Sequence, residues 1–200
     1  MLAKWYVFMY KKVMILIAFL PILDFPVLGL PILEAGAVQL RDGKTYFVHL
    51  PTLLEVESTV SVIYARNATY YFKIALPQSM GENLQRLEIV QSEGFETIDF
   101  RLDETIAYLQ PPSGDRLPIS GKAEIPQNQD RDQRKIVITF NPPIPANGEL
   151  NRQLVVGLRP IRNPRYDGVY LFGVSASPQG DRPNTQFLGY GRLNFYDPFR

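Results

Sequence analysis

From about residue 45 onward, apolar and polar positions alternate in short runs. In Thr69–Leu76, the residues Tyr70, Phe72, Ile74 and Leu76 fall on one face of an extended chain. In Lys135–Phe140, Ile136, Ile138 and Phe140 point one way and Lys135, Val137 and Thr139 the other. A period of two is that of a β-strand with one buried face. The same pattern, broken by Gly, Pro, Asn and Asp, predicts strands over Thr45–Leu50, Val56–Tyr64, Thr69–Leu76, Gln85–Gln91, Ile98–Leu102, Lys135–Phe140, Gln153–Leu158, Val169–Ser175 and Phe187–Tyr196. Helical periodicity is thin. Asp103–Ala107 predicts a single turn, and Ser79–Leu87 a second, weakened by Gly81. Short strands at this spacing point to an all-β fold, an immunoglobulin-like β-sandwich of about 8–10 strands.

Composition supports that architecture. The chain has 200 residues, with 17 Pro, 14 Gly, 11 Tyr and 12 Phe, so turn-formers and aromatics are both plentiful. The 46% of apolar residues suffice for a packed core.

The N-terminus reads differently. Lys4, Lys11 and Lys12 precede an apolar run from Val13 to Leu23, and Ala35-Gly36-Ala37 supplies small residues at both positions of an A-x-A site. This is the layout of a secretory signal peptide over residues 1–37, leaving residues 38–200 as one β-sandwich domain with Val38 first. An uncleaved anchor is the alternative, because apolar residues continue to Leu33. Asp24 and the prolines at 21, 26 and 31 disfavour it as a bilayer-spanning helix. Membrane contact is expected only through this segment, and only if it is retained. Cleavage after Ala37 leaves equal numbers of basic and acidic side chains, which argues against a nucleic-acid partner.

Catalytic and metal chemistry have little to work with. The absence of Cys removes thiolate ligands, thiol nucleophiles and redox pairs. His49 is the only histidine, so nucleophilic triads and two-His zinc sites fail as well. A copper carrier using His49 and a free N-terminus is one alternative; a carboxylate-based hydrolase is another, if Asp99, Asp103 and Glu104 converge in a cleft. Asp130 and Asp132 faintly resemble a calcium loop but lack its Gly and terminal Glu. No cofactor is expected.

The most distinctive stretches are GLRPIRNPRYDGVYLFG at residues 157–173 and FLGYGRLNFYD at 187–197. In them Arg159, Arg162, Arg165 and Arg192 alternate with Tyr166, Tyr170, Tyr190 and Tyr196. Guanidinium groups beside aromatic rings can build a recognition surface. The competing reading puts the tyrosines in the core and the arginines on the rim, paired locally with Asp167 and Asp197.

These two stretches resemble a cyanobacterial exported family, domain of unknown function 2808. So do AVQL at 37–40, ATYYFKIALP at 68–77 and FNPPIP at 140–145, in the same order and over nearly the whole mature chain. The resemblance implies an extracytoplasmic address (periplasm, thylakoid lumen or medium) in a thylakoid-bearing bacterium. It carries no activity and no catalytic residues. Gln110–Arg134 departs most from the family pattern and is expected to be a variable loop. The function expected is that of an exported, non-enzymatic sandwich binding an extracytoplasmic protein or envelope component. The second expectation is a carbohydrate- or small-ligand-binding module, which calls for exposed tyrosine rings coplanar on one face.

Overall fold

A computed structural model describes residues 43–112, 114–127 and 135–199. The expected signal segment and the Asp130/Asp132 tract lie outside them. Among the described residues every regular element is a strand: β1 (Thr52–Ser58), β2 (Tyr70–Ala75), β3 (Leu84–Glu93), β4 (Phe100–Gln110), β5 (Leu117–Pro118), β6 (Gly121–Glu124), β7 (Lys135–Ile144), β8 (Gln153–Pro160), β9 (Gly168–Pro178) and β10 (Gln186–Phe195). They form two antiparallel sheets, ordered β1-β2-β8-β4-β5 and β10-β9-β3-β7-β6. The fold is an all-β, immunoglobulin-like sandwich.

The alternating runs place their apolar faces between the sheets. Tyr70, Phe72, Ile74 and Leu76 are buried, as are Ile136, Ile138 and Phe140. An aromatic column fills one half of the core. Tyr70 meets Phe100 and Phe195 at centroid distances of 5.7 Å each, and Tyr170 meets Phe195 at 5.4 Å. The Tyr70–Phe100 and Tyr170–Phe195 pairs are edge-to-face, a packing that adds to area burial. Where the edge strands β1 and β10 approach, Gly191 has no side chain and Val56 packs onto its backbone; a Cβ there would overlap Val56.

Five local expectations are corrected. Thr45–Leu50 is not a strand: Thr45 makes one isolated bridge to Pro183, and the segment straps one end of the sandwich. The first strand ends at Ser58, and Val60–Tyr64 forms a loop. Asp103–Ala107 is not a helical turn but lies inside β4, and Leu84–Leu87 opens β3. Between the pairs Arg101↔Arg159 and Ile106↔Gly157, β4 carries four residues against Leu158 alone, a wide bulge that breaks the period of two. The expected variable loop contains β5 and β6, through which the chain crosses from one sheet to the other.

The ends of the strands define two poles. At one, the connections 59–69, 94–99 and 161–167 gather beside Tyr196, which follows β10. At the other sit the strap and the connections 76–83, 145–152 and 179–185.

Candidate functional site

The eight arginines and tyrosines singled out above do not share one face. Tyr170 is in the core. Arg159 lies on the outside of the first sheet, where it meets Glu104 across the β4 bulge at 2.9 Å. Tyr190, Arg192 and Tyr196 line the outward side of β10 and its extension, and Arg192 Nε donates to Asn194 Oδ1 at 3.0 Å. Arg162, Arg165 and Tyr166 stand together in the 161–167 loop, at the pole where three connections converge.

That pole is cross-locked from below. Asn163 is fully buried and its amide is saturated: it accepts from the Tyr70 hydroxyl and donates to the carbonyls of Val60 and Val62, each at 2.8 Å. Its backbone N–H donates to the Ala65 carbonyl at 2.6 Å. One side chain therefore ties loop 161–167 to loop 59–69. The Tyr170 hydroxyl donates to the Tyr166 carbonyl at 3.1 Å, so two core tyrosines hold the loop from beneath. These hydroxyls explain why tyrosine rather than phenylalanine stands at both positions. Burial, with Tyr170 adding to it, raises the pKa of Tyr70; burial, then the Glu96 charge, pushes that of Tyr170 up to about 12. Both remain protonated donors at neutral pH.

The third connection is fastened separately. The Gln91 side chain donates to the Glu96 carbonyl at 2.7 Å and accepts from the Ile98 N–H at 2.9 Å. The Glu96 carboxylate accepts from the Arg165 backbone N–H and, at 2.8 Å, from Arg165 Nε. Burial alone pushes the Glu96 carboxyl up. The bonds from Arg165 and the charges of Arg165 and Arg162 outweigh it and hold the carboxyl below the usual range. Gly94 lies directly over the Tyr170 ring with φ of 145°, a position and a backbone conformation that together exclude a side chain.

On this fixed base each loop presents one aromatic side chain to solvent: Tyr64 is 55% exposed, Phe95 76% and Tyr166 53%. Phe95 and Tyr166 lie 6.5 Å apart at 58°, and the Arg165 guanidinium sits 5.8 Å from the Tyr166 ring. Tyr64 is held at φ of 62°, with its N–H donating to the Pro164 carbonyl at 3.0 Å. A left-handed non-glycine residue costs about 1–2 kcal/mol, and a ring that is mostly in water returns little of it. Beside the aromatic rim is a polar depression of about 60 Å³ lined by Glu96, Thr97, Asp99, Arg162 and Asn163.

Tyr64 and Phe95 were absent from the sequence-derived set. Neither lies in a distinctive motif; the only available sign was an isolated aromatic in a turn-rich stretch. A second exposed pair, Phe187 and Tyr190, has centroids 4.9 Å apart on the outer face of β10 at 62°. Neither pair is coplanar.

The residues of the alternative chemistries are dispersed. His49 is exposed at the opposite pole, with Nδ1 2.8 Å from the Ser79 carbonyl. Glu104 is engaged by Arg101 and Arg159, whereas Asp99 lines the depression. Among the described residues, no three His, Cys, Asp or Glu side chains gather as a metal-ligand set.

The profile of a family described as a protein of unknown function (DUF2808) matches residues 44–195. The chain belongs to this family. The DUF2808 match begins at the strap and closes on the last residue of β10, so it takes in all three aromatic loops. No characterised protein matches the chain in sequence. Among solved structures it is similar to the collagen-binding subdomain ACE19 of the Enterococcus faecalis surface protein ACE, with TM-score 0.39, 8% identity, and 66% of this chain and 89% of that one covered. It is similar also to the collagen-binding domain of a Staphylococcus aureus adhesin, with TM-score 0.35, 9% identity, and 70% and 100% covered. AvmM, which catalyses macrocyclization in alchivemycin A biosynthesis, gives TM-score 0.39, 10% identity, and 82% and 98% covered. Likenesses of this degree carry no argument about this chain.

Proposed function

We propose that this chain is an exported, non-enzymatic binding module that engages an extracytoplasmic protein or envelope component through the pole carrying Tyr64, Phe95 and Tyr166. One observation carries the reading: three loops fastened to each other by buried and charge-assisted hydrogen bonds each expose a single aromatic side chain. Rigid aromatic anchors supply contact area at small entropic cost, which is what recognition surfaces require and stability does not. The left-handed Tyr64 supports it, because strain kept at an exposed residue benefits something other than the fold. Arg162 and Arg165 belong to this face. Tyr190, Arg192 and Tyr196 form a neighbouring strip, and Arg159 and Tyr170 serve the fold.

The test compares the wild-type chain with a Tyr64→Ser, Phe95→Ala, Tyr166→Ala variant as bait in envelope extract from the native host. A component retained by the first and lost by the second, with both baits equally stable, is the expected result. Identical retention by the two baits would refute the reading. Export is tested separately: the N-terminal sequence of protein recovered outside the cytoplasm is expected to begin at Val38, and one beginning before Ala37 would favour the anchor.

A further inference from the structure

We propose that the depression between loops 94–99 and 161–167 is a saccharide subsite, which takes one edge of a pyranose from a neutral glycan. The proposal rests on the reading of this pole as the binding face and names the ligand chemistry.

Charge is the first argument. The depression and its rim carry two carboxylates, Glu96 and Asp99, and two guanidinium groups, Arg162 and Arg165. An ionic ligand would meet an opposing charge for every attractive one. A polyhydroxylated ligand needs this mixture, because each hydroxyl both donates and accepts. Arg162 is a donor, Thr97 serves either way, and each carboxylate oxygen of Glu96 keeps lone-pair capacity beyond its bond to Arg165.

Size and ring geometry supply the second argument. A volume of about 60 Å³ admits neighbouring hydroxyl groups but not a whole pyranose. The C–H face of the sugar would then lie outside, against Phe95 and Tyr166. Their 58° tilt makes an angled seat for one ring, whereas a flat polysaccharide face would need coplanar rings.

The floor of the depression is already fixed. Asn163 is saturated by its three side-chain bonds, and the Ile161 N–H donates to the Asp99 carbonyl at 2.8 Å. Binding therefore orders little that is not ordered beforehand.

The probe is a printed array of neutral oligosaccharides of glucose, galactose, mannose and N-acetylglucosamine, with uronic-acid and sulfated counterparts, followed by titration in solution. Retention of one or more neutral glycans is expected. Phe95→Ala and Arg162→Ala should each weaken it at least about tenfold, with the unfolding midpoint unchanged. Raising NaCl from roughly 0.05 to 0.5 M should change affinity less than about twofold, since no net charge is neutralised. Retention of charged glycans alone, of none, or of neutral glycans with Phe95→Ala still fully active would overturn the proposal. If saccharides fail while a host protein is still lost by the triple variant, the loop pole binds protein and the saccharide reading alone falls. If the triple variant keeps its partner, the binding reading itself is wrong.

Discussion

Removing the side chain of Asn163 should be among the most damaging single changes to this domain. Asn163→Ala leaves two groups without a partner, the buried Tyr70 hydroxyl and the Val62 carbonyl, while the Val60 carbonyl keeps the Ser58 hydroxyl as a donor at 2.7 Å. An orphaned buried polar group costs about 1–3 kcal/mol, and the hydroxyl, with no exposure at all, falls at the upper end. The Val62 carbonyl lies in a partly exposed loop, so it falls at the lower end. The sum is about 3–4 kcal/mol, against the 5–15 kcal/mol typical of a whole domain. With a urea m-value of about 2 kcal/mol/M, the midpoint should fall by roughly 1.5–2 M. Tyr70→Phe is the control. It orphans only Asn163 Oδ1 and should cost about 1–2 kcal/mol. The two midpoints, measured by circular dichroism in urea with m-values compared, decide the matter. A fall of less than about 0.5 M for Asn163→Ala, or equal losses for the two variants, would show that water replaces these bonds and that Asn163 does not lock the loops.

Other outcomes follow from the same pole. Tyr64→Asn, which suits a left-handed backbone better than Tyr, should leave the thermal midpoint unchanged or raise stability by up to about 1 kcal/mol while partner binding falls; a loss of stability would mean the ring serves the fold. Gly94→Ala should cost at least about 2 kcal/mol in a denaturant melt, since the new methyl meets the Tyr170 ring on a backbone with positive φ. The Glu96 carboxyl is held below its unfolded value, so its contribution is present above that value and is lost as pH falls through the folded one. The stability gap between wild type and Glu96→Gln should therefore be largest near neutral pH and close in acid; a gap unchanged down to pH of about 2 would remove the ion pair from the account.

The legible part of the fold was the part that repeats. Tyr70, Phe72 and Ile74 announce their strand because burial on one face imposes a period of two, and the same holds for Ile136, Ile138 and Phe140. The β4 bulge hid the continuation of its strand because its extra residues shift the phase, so Asp103-Glu104-Thr105 looked like a turn. β5 and β6, two and four residues long and mostly exposed, have no buried face to betray them. Of the site, Arg162, Arg165 and Tyr166 were visible because prolines and arginines cluster there. Tyr170 was misread with them, since one tyrosine hydroxyl in the core and one in water are the same letter. Tyr64 and Phe95 come close to Tyr166 only through pairings across scores of residues, such as Asn163 with Val60, which no local window contains.

The strap gives the domain a direction. Thr45 donates to the Arg182 carbonyl and accepts from the Asn184 N–H, each at 2.9 Å, with Phe47 tucked beneath, so the strap is fixed at the pole opposite the aromatic loops. Strand β9 spans the interval with 11 residues, about 35 Å of extended backbone. The strap and the Tyr64, Phe95 and Tyr166 rim therefore stand at opposite ends of the same strands. A load applied between the strap and the rim would run along the strands, across rungs of backbone hydrogen bonds that share it.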